Sequence, residues 1–187
     1  GRITPEQRSS AIDDIKESLS IKRGIGDKAG QAMSLGTLGR YYLFAKDDHF
    51  FAQHSQHAVN AFEEDLKISE EIGDLIGQLK MPGLIAGCHR RSKNYEVAID
   101  HYDNAADKAQ AHESLVDLAF ALSGLTSCLH KTGQFKKRNE SGIELAKVLS
   151  EMEPQTADRL SQEIDWLNSI EEDIEWAIKI KLLKESL

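Results

Sequence analysis

The chain has 187 residues, 40% of them hydrophobic, and its 23 basic and 31 acidic side chains give a formal net charge of −8. This is the profile of one soluble globular unit or two small ones, with enough chain to bury a core unaided, and two cysteines, Cys88 and Cys128, fit a reducing compartment. No apolar run reaches the roughly 18 residues of a membrane span, no basic-then-apolar leader opens the chain, and the acidic balance argues against nucleic acid as partner, so a cytoplasmic protein is expected.

The first helix opens on Thr4-Pro5-Glu6-Gln7, an N-cap followed by proline at the first helical position. Its apolar stripe is Ala11, Ile15, Leu19. The next stripes are Leu35, Leu38, Tyr42, then Ala98, Tyr102, Ala105, Ala109, then Leu118, Leu122, Leu125, Leu129. These spacings of three and four predict amphipathic helices, and no stretch alternates with period two. Seven helices are expected up to residue 152, joined by short turns that set neighbours antiparallel.

A repeat runs through this region. Ala11 to Ala32 aligns without gaps on Ala58 to Leu79 at an offset of 47, with nine of 22 positions identical, among them Ile25/Ile72, Gly26/Gly73, Asp27/Asp74, Gly30/Gly77 and Gln31/Gln78. In each Ile-Gly-Asp joint the glycine is expected to end one helix in the left-handed conformation, and the aspartate to cap the next. A further copy lies 40 residues later with Ser114 in the capping role. Between the first two copies stands an insertion, Asp47 to His57, with Phe50-Phe51 at its tip; these two phenylalanines are expected to fold back onto the neighbouring hairpin, the alternative being an exposed contact site. His54 and His57 lack the further ligands a metal would need, so no metal site is expected.

Pro82, inside the next helix pattern, should kink that helix or delay its start. The acidic runs Glu63-Glu64-Asp65 and Glu70-Glu71 read as solvated outer faces. Lys136-Lys137-Arg138 opens a helix against its dipole. Pro154 marks a boundary, giving a helical array over 1–152 and a C-terminal element over 153–187. That element reads as one long acidic helix with the stripe Leu160, Ile164, Leu167, Ile170, Ile174, Ile178, suited to capping the array or to pairing with a second copy.

These residues resemble the tetratricopeptide repeat pattern over about 8–149. The first full copy is Leu35-x2-Leu38-Gly39-x2-Tyr42 with Ala58-x3-Phe62. The second is Pro82-x2-Ile85-Ala86-x2-His89 with Tyr95 and Ala98-x3-Tyr102-x2-Ala105. The third is Leu122-x2-Leu125-Thr126-x2-Leu129 with Gly133-x-Phe135, and Ala11-x3-Ile15-x2-Ser18 is a half-copy ahead of them. The pattern looks closest to the longer repeat variety of spindle-orientation and kinesin-light-chain scaffolds. Arg138 and Gly142 stand where the third copy should carry alanine and an aromatic, so its second helix should pack less well.

The resemblance implies an all-α, right-handed superhelix of antiparallel hairpins, an α-solenoid whose first helices line a concave groove. That lining would include Met33, Gly36, Arg40 and Leu43, then Lys80, Gly83, Gly87 and Arg90, then Phe120, Ser123, Ser127 and His130. Its bases and the absence of acids among these positions suit an acidic protein or peptide segment. Arg40, Lys80, Arg90 and His130 are the expected anchors, with Tyr41 and Phe120 as apolar contacts. The expected role is a protein-interaction scaffold; the alternative is a regulatory sensor in which a small ligand or signal peptide controls an attached domain. No catalytic motif, phosphate loop or cofactor-binding motif occurs, and Cys88-His89 point about 100° apart on a helix, so neither an enzyme nor a cofactor is expected.

Overall fold

The computed structural model describes residues 4–158, and these are helical with no strand among them. Seven helices follow in order: α1 Pro5–Gly24, α2 Lys28–Leu43, α3 Asp48–Ile72, α4 Leu75–Arg91, α5 Tyr95–Ala111, α6 Leu115–Lys131 and α7 Phe135–Glu151. A further helical stretch begins at 154. The long C-terminal helix expected from its stripe lies outside the described residues. No helix among the described residues is long and apolar enough to cross a membrane.

The chain gathers into two compact units, Gly1–Ser92 and Lys93–Leu187. Their boundary falls in the joint between α4 and α5, inside the second repeat copy. In the first unit α1 packs on α2, α2 on α3, α3 on α4, and α2 also meets α4. In the second, α6 packs against both α5 and α7. Three of the four predicted stripes are buried throughout: Leu35, Leu38 and Tyr42 on α2, Ala98, Tyr102, Ala105 and Ala109 on α5, and Leu118, Leu122, Leu125 and Leu129 on α6; on α1 Leu19 is buried, with Ala11 and Ile15 half-buried.

The repeated joint explains its own identities. Gly26 and Gly73 have φ of 72° and 73°, and the N–H groups of Asp27 and Asp74 reach back to the carbonyls of Lys22 and Ser69 at 2.9 and 2.8 Å. That six-to-one bond closes the helix end. Each aspartate then caps the next helix, Asp27 accepting from the Gly30 N–H at 2.9 Å and Asp74 from the Ile76 N–H at 3.1 Å. The Gln31 and Gln78 amides donate to the same two carbonyls, at 3.3 and 3.1 Å. A β-carbon at Gly30 would sit 2.1 Å from Asp27 Oδ2, and one at Gly77 would sit 2.1 Å from Ser69 Oγ, so both positions need the missing side chain. Ile25 and Ile72 are exposed, and the packing gives no reason for their identity.

Four features differ from expectation. Ser114 stands at the N-cap of α6 but caps no backbone N–H; its hydroxyl donates instead to Asp117 Oδ2 at 2.6 Å. Pro82 does not delay α4, which begins at Leu75 and runs through the buried proline to Arg91. The insertion is no loop tip: it forms the first turns of α3, which has 25 residues against 17 for α5. Eight extra residues are about two helical turns, so the rest of α3 keeps its face toward α2. Phe51 is buried and Phe50 half-buried, both folded onto the core. Finally, Asp65 is not solvated. Glu63 is exposed and Glu64 half-buried, but Asp65 is only 4% exposed. Residues adjacent on a helix point about 100° apart, so a three-residue acidic run cannot share one outer face.

Candidate functional site

The first helices of the first unit, α2 and α4, expose narrow stripes. On α2 these are Met33, Thr37 and Arg40, continued by Phe44 at its C-cap; on α4, Ile76 and Lys80, with Gly87 and Arg90 half-buried. Helical spacing of three and four sets each series on one face. Tyr41 is half-buried and packs against the core formed by Tyr42, Phe62 and Ile85, which leaves only part of its ring for a partner. Gly36, Leu43 and Gly83, expected in the same lining, are buried. In the second unit, α6 exposes Val116 and Phe120, while Ser123 and Ser127 are buried and His130 is half-buried.

The basic residues divide by what they hold. Arg8 pairs with Asp47 at 3.1 Å, Arg23 with Glu64 at 2.5 Å and Lys28 with Glu71 at 2.9 Å, ties that fasten α1 and α2 to α3. Arg91 donates to the carbonyls of Leu43 and Ala45 and to Asp48, and its guanidinium lies 4.2 Å from the Phe51 ring centroid. It thereby straps the joint between α2 and α3. Arg40 and Lys80 make no ion pair or hydrogen bond among the described residues, and both are exposed.

His130 is not placed as a cationic anchor. Its Nδ1 lies 3.0 Å from Arg138 Nη1. A guanidinium has only donors, so Nδ1 is the acceptor in this contact. Arg138, read as a misfit at an alanine position, also lies 5.0 Å from the Phe135 ring centroid. His54 is held similarly but with the opposite tautomer: its Nδ1 donates to the Phe50 carbonyl at 2.8 Å. The His54 ring stacks on Phe50 and Tyr42 at centroid distances of 4.2 and 5.4 Å, and Arg8 lies 4.3 Å from the Phe50 centroid. Burial pushes the Tyr42 hydroxyl above its ordinary range, with Asp13 adding to it. Among the described residues no three His, Cys, Asp or Glu side chains are grouped to hold a metal.

The reading of an acid-free lining omits one residue, contributed by a second helix. Asp65 reaches from α3 to Gly36 of α2, its Oδ2 2.6 Å from where a Gly36 β-carbon would stand. Ser69 Oγ donates to its Oδ1 at 3.1 Å. Burial raises its carboxyl above the usual range; Ser69 and then Arg40 pull it down, and Asp74 raises it slightly. The sequence held a signal for this burial, since Phe62-x2-Asp65 matches Tyr102-x2-Ala105, where the alanine is buried.

No protein-family model matches the chain, and no curated protein matches it.

Proposed function

We propose that the chain is a non-covalent interaction scaffold of tetratricopeptide type, its helix pairs stacked as a right-handed superhelix whose first helices hold an acidic segment of another protein. The observation that carries this reading is the contrast among its bases. Arg40 and Lys80 are exposed on two helices that pack together, and neither is committed to a partner, whereas Arg8, Arg23, Lys28 and Arg91 are. Exposed ion pairs contribute only about 0.2–1 kcal/mol each, whereas micromolar binding needs about 8 kcal/mol. Two charges therefore steer and orient a partner, and apolar contact must supply the rest. Met33 and Ile76, both exposed on the same two helices, are placed to supply it. The partner segment is accordingly acidic with large apolar side chains interspersed.

The test is affinity capture on the full chain beside an Arg40→Glu, Lys80→Glu variant, with folding checked by circular dichroism. Arg90 is left intact because it is half-buried. The expected result is a protein retained by the wild type at low salt, released as salt rises, and bound about tenfold or more weakly by the variant. Equal retention by both refutes the basic-face reading.

A further inference from the structure

We propose that the segment held on this face lies extended and crosses diagonally from α4 to α2, with carboxylates four residues apart on Lys80 and Arg40 and a large uncharged side chain between them over Gly83. The inference rests on the interaction reading above and adds the register that the partner must carry.

That register follows from how the two helices are set. α2 opens at Lys28 and α4 at Leu75, each behind a capping aspartate and at the same offset of 47 residues that relates the repeats. At their other ends Arg91, the last residue of α4, donates to the Leu43 carbonyl of α2. The two helices therefore run the same way, and equivalent residues lie level: Gly83 with Gly36, and Gly87 with Arg40. Lys80 stands seven residues before Gly87, about 10.5 Å along the axis. α2 and α4 pack on one another, and packed helices lie about 8–10 Å apart, so Lys80 and Arg40 are separated by about 14 Å across the diagonal. An extended chain advances about 3.3 Å per residue and presents the same face at every second residue. Four residues thus span about 13 Å with both carboxylates turned to the helices. A helical segment would need about nine residues, which sets the two carboxylates on opposite sides.

The middle of the diagonal is bare. Gly36 and Gly83 are both buried in its floor. Gly36 is filled from behind by Asp65, as Gly39 is by Phe62, so each lacks a side chain for a reason inside the fold. Gly83 has no such reason: a β-carbon there would meet nothing within 4 Å, and glycine inside a helix costs stability that alanine would restore. The side chain two residues after the first carboxylate arrives over this gap, on the same face of the strand. Apolar residues continue the line beyond each base, Ile76 four residues before Lys80 and Phe44 four residues after Arg40, both exposed. Four residues of helix, about 6 Å, nearly match the two-residue step of a strand, about 6.6 Å. The complementary segment accordingly reads apolar, acid, apolar, acid, apolar at every second residue.

The probes are two dye-labelled peptides of one composition, Leu-Ser-Glu-Ser-Leu-Ser-Glu-Ser-Leu and Leu-Glu-Ser-Ser-Leu-Ser-Glu-Ser-Leu, titrated on the full chain at low salt by fluorescence anisotropy. The first should bind about tenfold or more tightly, because the second sets its glutamates on opposite faces and cannot seat both with the central leucine. Equal affinity overturns the register. Transferred NOEs on the bound first peptide should join successive residues only; contacts between residues three apart, the mark of a helix, overturn the extended path. Gly83→Ala, which the helix accepts, should weaken the first peptide about tenfold and leave unchanged a version with glycine for the central leucine. Undiminished binding of the first peptide to Gly83→Ala overturns the bare-floor assignment. Equal binding of both peptides that is lost in the Arg40→Glu, Lys80→Glu variant overturns the register and leaves the basic face standing, whereas binding that survives those substitutions refutes the basic face as well. Absence of binding by either peptide at millimolar concentration overturns the register, and affinity capture then decides the basic face on its own.

Discussion

Two glycines of the first unit should respond to alanine in opposite directions. A β-carbon on Gly39 would lie 2.5, 2.7 and 2.8 Å from Cε1, Cδ1 and Cζ of Phe62, a fully buried ring. One on Gly83, buried in α4, would meet nothing within 4 Å. Alanine in a helix interior gains about 1 kcal/mol over glycine in either place. Overpacking at Gly39 costs about 1–3 kcal/mol, and with three ring atoms inside contact distance the upper part of that range applies. Gly39→Ala should therefore lose about 1–2 kcal/mol net, while Gly83→Ala should gain about 0.5–1 kcal/mol. Both sites lie in the same compact unit, so urea unfolding followed by far-UV circular dichroism reports them in one transition. Phe62→Leu should cost less in the Gly39→Ala background than in the wild type, because the smaller side chain relieves the clash. Equal stability changes for the two alanine variants would refute the packing of Phe62 on bare backbone.

Arg91→Ala leaves two carbonyls and Asp48 without their donor and uncovers Phe51; a loss of about 2–3 kcal/mol is expected by urea unfolding. Arg91→Lys should recover less than half of it, since a point charge cannot reproduce the planar fork. Glu113 has φ of 55° with a side chain that disfavours it, so Glu113→Gly should stabilise by up to about 1 kcal/mol, and Gly133→Ala, at φ of 73°, should destabilise by a similar amount. Burial pushes the Cys88 thiol up to about 12, so a thiol-specific reagent should label it at neutral pH only as the chain unfolds; labelling at the native rate of a free thiol would contradict its burial.

The joints and stripes were legible in the sequence because their logic is local. A glycine followed by an aspartate satisfies one helix end and caps the next whatever surrounds it, as Gly26-Asp27 and Gly73-Asp74 do. What was not legible depends on partners distant in sequence. Lys93 and Glu113 take the left-handed conformation without being glycine, and at Glu113 the same six-to-one closure imposes it: Ser114 N–H reaches the Ala109 carbonyl at 2.9 Å as Asp27 reaches Lys22. Ser114 then matches its counterparts in position but not in bonding, since Asp117 takes its hydroxyl. The insertion could not be sized as helix from composition, although its length of two turns is the one that leaves the packing of α3 undisturbed.

The candidate face shows the same limit more sharply. Counting bases on a predicted helix face treats Arg40, Lys80, Arg90 and His130 alike, because the count has no access to what each one touches. Arg91, next to Arg90 in the chain, is occupied by the carbonyls of Leu43 and Ala45 and by Asp48; His130 accepts from Arg138. An arginine bound to buried carbonyls cannot leave them for a partner's carboxylate without a loss that an exposed ion pair does not offset. Arg40 and Lys80 face no such loss, which is why the proposed anchor set contracts to them.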